Sequence, residues 1–233
     1  MLDPGTFVCT EATVARMAMI AFGLKPYQLP GSSLDSGPSF EVAARVSKGA
    51  TQALALVMLQ SLLVDRFGLK YHFEKREMPV YALTVANGGP KLKASPPAPP
   101  DPTADGPGPP SSWRPGLYGV FMPAKPPRGG FSATMANCTM GTDVGGATTD
   151  RIGDYLSEQL GRPVNNATAL KGEFDFALVF FNENCEPSGS LPPSDAPTLS
   201  TAVEEQLGLK LEKGRGMIDV FLIDHVEKNP TAN

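Results

Sequence analysis

The sequence predicts an α+β protein of two related halves, each in the order β-α-β-β-α-β-β, with helices packed on one face of a mixed or antiparallel sheet. Three observations carry this. Segments with apolar residues at helical spacing each end at a glycine, aromatic and β-branched runs stand between them, and one motif recurs along the chain. Phe67-Gly68-Leu69-Lys70 returns as Leu207-Gly208-Leu209-Lys210, again as Phe22-Gly23-Leu24-Lys25 and more loosely as Leu160-Gly161-Arg162-Pro163.

In chain order, the first helix is expected from Val14, Met17, Ala18 and Ala21, and the second from Leu54, Met58 and Leu62 with Val57 beside them. Ile152, Tyr155, Leu156 and Leu160 mark the third; Leu199, Val203, Gln206 and Leu207 mark the fourth. Such spacing lays one stripe against a core. A glycine just past the stripe adopts the left-handed conformation that ends a helix. Thr51 and Thr198 suit the N-caps of the second and fourth helices. Strands are expected at Phe40–Ala43 and Phe174–Leu178, ahead of those two helices. After them come Tyr71–Phe73 with Val80–Val85, and Leu209–Glu212 with Ile218–Ile223. Each pair reads as a hairpin, with turns at Lys75–Met78 and Lys213–Met217.

The 233 residues are 41% hydrophobic and 19% charged, with a net charge of -4. Mild acidity argues against nucleic-acid binding, which calls for a basic stripe. Two histidines and three cysteines exclude a Cys₄ or His₃ zinc site within one chain. No apolar run is long enough to span a membrane. Of 24 prolines, twelve fall between Pro96 and Pro127. Proline removes backbone donors, so residues 94–127 read as a semi-rigid linker without ladder or helix, dividing halves at 1–93 and 128–233. Trp113, Leu117, Tyr118, Val120 and Phe121 inside it would clip the linker to a domain or form a docking segment. The loop from Asn182 to Pro197 is also rich in proline and serine.

The segments Met58–Lys70 and Arg76–Leu83, with Gly161-Arg162-Pro163-Val164, Gly172-Glu173-Phe174-Asp175-Phe176, Glu205–Leu211 and Val220–Lys228, resemble an uncharacterised family abundant in soil Acidobacteria. The resemblance covers nearly the whole chain outside the linker. It implies a two-part domain of unknown function behind a signal peptide, hence a periplasmic or secreted protein. The chain departs from the family pattern in three places. It opens at Met1-Leu2-Asp3 without a charged or apolar leader, which points to the cytoplasm if that start is native. Gly141–Thr149 reads as an insertion, and Thr168-Ala169-Leu170-Lys171 replaces a Thr-Gly-Leu-Thr turn. The strand-helix-strand opening of each half is distantly similar to the short N-terminal domains of secretins and TonB-dependent receptors, an analogy of fold alone.

Nucleophile, P-loop and zinc-protease motifs are absent. Gly145-Gly146 lacks the flanking strand that a phosphate loop requires. The candidate catalytic residues are Asp224, His225 and Glu227, because a carboxylate beside an imidazole orients it as a general base. Alternation along a strand puts His225 and Glu227 on one face and Asp224 on the other. His72, between Tyr71 and Phe73, reads as a packing residue. Asp143, Asp150 and Asp154, with Asn182, Glu183, Asn184 and Glu186, are candidate oxygen ligands for a hard cation, calcium above all. Two of Cys9, Cys138 and Cys185 would pair in an oxidising compartment; in a reducing one all three stay small and unpaired, and Cys185 is the one most open to solvent. Two functions stand as expectations. One is an envelope module that binds a protein or peptide through sheet edges or linker aromatics. The other is a hydrolase of small esters or lactones, assisted by a calcium-like ion with His225 as base.

Overall fold

A threonine hydroxyl opens each helix and a left-handed glycine closes it. The computed structural model describes residues 6–30, 37–45, 51–97, 113–123, 131–185 and 194–231. Its helices are α1 (Val14–Phe22), α2 (Gln52–Phe67), α3 (Thr149–Leu160) and α4 (Leu199–Leu207). Thr13, Thr51, Thr148 and Thr198 accept N–H groups from Arg16, Leu54, Arg151 and Thr201, which pairs donors that a helix start leaves orphaned. Gly23, Gly68, Gly161 and Gly208 end the helices at φ of 64°, 57°, 60° and 63°. Thr13 and Thr148 bear the same sequence signal as the two expected caps, a threonine just ahead of an apolar stripe.

The strands are β1 (Thr6–Ala12), β2 (Phe40–Arg45), β3 (Lys70–Val85), β4 (Lys93–Ala94), β5 (Trp113–Pro115), β6 (Phe121–Pro123), β7 (Phe131–Ala136), β8 (Thr139–Ala147), β9 (Val164–Asn166), β10 (Phe174–Phe181) and β11 (Leu209–His225). They form sheets in the orders β1-β2, β4-β10-β8-β7, β11-β3-β9 and β5-β6, so the fold is α+β with antiparallel and mixed sheets. The chain divides into two compact units, Met1–Met78 with Arg215–Asn233, and Pro79–Gly214. The halves read from the sequence part at a linker; these units part within β3 and β11.

The first unit holds β1, α1, β2, α2 and the outer ends of β3 and β11. Val14, Met17, Ala18 and Ala21 of α1 are buried as their spacing predicts, beside Leu63, Phe67, Leu69 and Phe221. The spacing assigned α2 the wrong face. Leu59, Leu63 and Phe67 are buried, whereas Leu54, Val57 and Met58 are exposed. α2 is apolar nearly all round, so periodicity cannot choose its inner side; packing against α1 does. Neither expected hairpin exists, because β3 and β11 each run unbroken and pair with one another. Their charged stretches look like turns but belong to a two-stranded ribbon open to solvent, where Arg215 pairs with Glu77 at 2.9 Å and Lys75 with Asp219 at 3.7 Å. A ribbon exposed on both faces needs no apolar alternation.

In the second unit, α3 and α4 share one face of the β4-β10-β8-β7 sheet. Ile152, Leu156, Leu199, Val203 and Leu207 pack there against Val144, Phe176, Leu178 and Phe180. Each such side chain contributes about 1.5–3 kcal/mol by leaving water. Gly141–Ala147 forms most of β8, which lies between β10 and β7. Small residues and three glycines hid a strand that is almost wholly buried. Gly145-Gly146 therefore does lie in a strand that leads to a helix.

The proline-rich stretch also holds structure. Residues 98–112 and 124–130 lie outside the described residues, but β5 and β6 between them form a ladder, with Arg114 opposite Met122. Pro115 and Pro123 are tolerated because a two-stranded hairpin has only one paired edge per strand. Val120 and Met122 are buried with Val179 of β10, while Leu117, Tyr118 and Phe121 are exposed. Cys138 and Cys185 form a disulfide, and Cys9 lies in β1. In the loop from Asn182 to Pro197, residues 186–193 lie outside the described residues.

Two substitutions test this architecture by chemical denaturation. A Cβ at Gly208 would stand 2.1 Å from the Gly89 carbonyl oxygen, whereas one at Gly23 would meet open space. Gly23→Ala is expected to cost about 1–2 kcal/mol, the left-handed penalty alone. Gly208→Ala should cost clearly more, because the 86–91 segment must also move away. Reducing the Cys138–Cys185 bridge, which spans a sequence separation of 47, should remove up to about 4 kcal/mol.

Candidate functional site

The end of β11 brings the sequence-predicted groups into two separate pairs. His225 Nε2 lies 3.0 Å from Glu227 Oε1, with both side chains more than half exposed. Asp224 turns instead to His72, whose Nδ1 lies 2.9 Å from its carboxylate. His72 is thus an exposed partner of Asp224 and not a packing residue. No sequence spacing signals that pair, because only the pairing of β3 with β11 joins residues so distant in the chain.

The three candidate metal ligands are not assembled. Asp143 is buried on β8 and receives a 2.7 Å hydrogen bond from Arg114 of β5. Asp150 accepts from Asn166 Nδ2 at 2.8 Å, and Asp154 is exposed on α3. Among the described residues, no group of three or more His, Cys, Asp or Glu side chains is placed to hold a metal ion. Burial pushes the Asp143 carboxyl above the ordinary carboxylate range despite the Arg114 guanidinium, and the charge of Asp175 on β10 adds to the rise. Asp175 itself accepts from Ser95 Oγ and from the Gly146 N–H, the latter at 2.9 Å. On the helix face of the same sheet, Thr142 and Tyr155 share a hydrogen bond, and burial pushes the Tyr155 phenol up to about 12.

One concave feature of the first unit is a groove of about 320 Å³. Phe40, Glu41, Val42 and Ala43 of β2 form one wall. Leu62, Arg66 and Phe67 of α2, with Pro230 and Thr231, form the rest. Alternate side chains of a strand point to opposite faces, so four consecutive residues reach one groove only along the backbone edge. β1 pairs with β2 on one side, and β2 has no other strand neighbour among the described residues. The opposite wall is held in place: Thr231 N–H donates to the Arg66 carbonyl, and Arg66 Nη1 donates to the Thr231 carbonyl, each at 2.8 Å. Sequence reading did not select this site. Its groups are ordinary core and surface types, and the feature is a backbone edge, which no residue code announces.

An α+β chain with His–carboxylate pairs and an open strand edge defines a fold class but no known activity. The chain belongs to the family described as Protein of unknown function (DUF3738), whose match covers residues 15–226. No curated protein and no solved structure matches it. No described helix is long and apolar enough to cross a membrane.

The buried acid makes a pH prediction. Because folding raises the pKa of Asp143, its charge opposes folding at neutral pH. That opposition fades as pH falls through the folded value toward the unfolded one. The melting temperature of the wild type, minus that of Asp143→Asn, should therefore climb as pH is lowered from 7 to 4. A difference independent of pH would overturn this assignment.

Proposed function

We propose that this protein is a binding module of the cell envelope that takes an extended segment of another polypeptide onto the free edge of β2. The observation that carries the reading is the groove lined by the four consecutive residues Phe40–Ala43 of a strand that pairs on one side only among the described residues. An unpaired strand edge offers a row of N–H and C=O groups, and a peptide that joins it gains main-chain hydrogen bonds with side-chain pockets between them. Phe40, Leu62 and Phe67 supply an apolar floor, and the Arg66 guanidinium is tied to the Thr231 carbonyl at the rim. This edge is favoured over the exposed linker aromatics because it combines a concave surface with a pairing template. The Cys138–Cys185 bridge supports an oxidising compartment, hence the periplasm or the exterior.

The same proposal treats the two units as copies of one β-α-β-α-β pattern. β1 with β2, and β8 with β10, are antiparallel pairs with a register shift at the same place, between Cys9 and Ala12 in one and opposite Phe174 and Phe176 in the other. Glu11 and Gly146 both have positive φ within those shifts, two residues before the N-caps Thr13 and Thr148.

A second reading, hydrolysis of a small ester or lactone, is favoured by the His225–Glu227 hydrogen bond. It requires turnover of a chromogenic ester that His225→Ala abolishes without unfolding the protein. The binding reading is tested by selecting extended peptides from a display library and following amide exchange. Selected peptides should slow exchange at Phe40–Ala43. Selection of no binder, or protection elsewhere with these amides unchanged, would overturn it.

A further inference from the structure

We propose that the segment seated on β2 runs antiparallel to it and is basic, small and hydroxyl-bearing in succession, on the pattern of Lys93-Ala94-Ser95. This rests on the strand-edge reading and names the occupant.

The second unit contains the corresponding edge, and there it is filled. Phe174-Asp175-Phe176-Ala177 of β10 corresponds to Phe40-Glu41-Val42-Ala43 of β2, each antiparallel to a partner strand with a register shift at the same place. On the far side of β10 from β8, β4 adds an antiparallel strand, with Ala94 opposite Phe174 and Lys93 opposite Asp175. Ser95 N–H donates to the Glu173 carbonyl at 2.9 Å, and Ser95 Oγ donates to Asp175. Farther along the same edge, the Gln206 side chain of α4 pairs with both the N–H and the carbonyl of Val179, at 2.9 and 2.7 Å.

The first unit repeats the surroundings with no strand in that place among the described residues. Gln206 stands two residues before the helix-ending Gly208, and Arg66 stands two residues before Gly68. The approach is also shared. Lys91 N–H donates to the Leu207 carbonyl, and Glu227 N–H to that of Phe67, the residues just before Gly208 and Gly68, each at 2.8 Å. The slot that β4 occupies on β10 is therefore matched on β2 by the groove, with Glu41 in the place of Asp175. A carboxylate that accepts from Ser95 and stands opposite Lys93 in the ladder of one unit selects a hydroxyl and a cation in the other.

The probe is an acetylated and amidated peptide of residues 91–96, Lys-Leu-Lys-Ala-Ser-Pro, titrated to millimolar concentration into ¹⁵N-labelled full-length chain. Saturable shifts are expected at Phe40–Ala43. Methylating the peptide nitrogen at the Ser95 position, which faces the recipient strand in β4, should weaken binding at least about tenfold. Methylation at Ala94, whose N–H faces away, should leave it nearly unchanged. Glu41→Lys, on an exposed side chain, should weaken this peptide and favour one with glutamate at the lysine positions.

Binding at β2 that tolerates both charge reversals overturns the basic occupant and leaves the strand-edge reading standing. Binding that tolerates methylation at Ser95, or no shift at β2 with any peptide, overturns both. Shifts at Phe174–Ala177, which would mean that the peptide displaces β4, overturn this proposal. So do β2 shifts that depend on protein concentration alone, which would place a second copy in the groove.

Discussion

Backbone hydrogen bonds at strand edges decide more of this structure than any side-chain contact. A strand inside a sheet pairs on both sides, and a strand at the rim leaves a row of donors and acceptors that water or another chain must satisfy. The second unit covers the rim of β10 twice, with the short strand β4 and with the amide of Gln206. The first unit leaves the rim of β2 facing a groove. Both units use the same helix caps, so the difference lies in the strand added at the rim and in one residue of the helix end, Arg66 against Gln206. The helices differ in length as well. α2 has 16 residues and α4 has 9, about two turns fewer. The first two turns of α2 carry Leu54, Val57 and Met58, all exposed.

Burial sets the character of the polar groups. Asp143 is the most enclosed carboxylate in the proline-rich hairpin's neighbourhood, and Arg114 reaches it from that hairpin. The pair ties β5 to β8 while Val120 and Met122 close over Val179. Leaving water raises the carboxyl pKa even beside a guanidinium, since desolvation outweighs the attraction. The His–carboxylate pairs at the end of β11 differ in kind. All four side chains are about half exposed, and exposed ion pairs contribute little to stability.

Much of the secondary structure was legible because its signals are local. A threonine, a stripe of apolar residues and a glycine describe a helix within one stretch of chain, and α1, α3 and α4 bury the residues that their spacing names, apart from the half-buried Leu160 and Gln206. β2 and β10 were legible for the same reason. β8 was not, because Thr-Met-Gly-Thr-Asp-Val-Gly-Gly-Ala has neither bulk nor alternation, and its place between two strands supplies the hydrogen bonds that its side chains do not advertise. The middles of β3 and β11 were misread for the opposite reason, since their charges are those of a turn. Of the candidate site, the His225–Glu227 pair was readable from alternation, and the Asp224–His72 pair was not.

The sequence by itself determined the α+β class, the helices with their caps, the motif that recurs at their ends and the family to which the chain belongs. These depend on interactions within a few residues, which the order of amino acids encodes directly. Only the tertiary structure decided which face of α2 is buried, which cysteines pair, which acids lie apart and which strand lines a groove. Each of those depends on residues far apart in the chain approaching one another, and a linear pattern carries no measure of that distance.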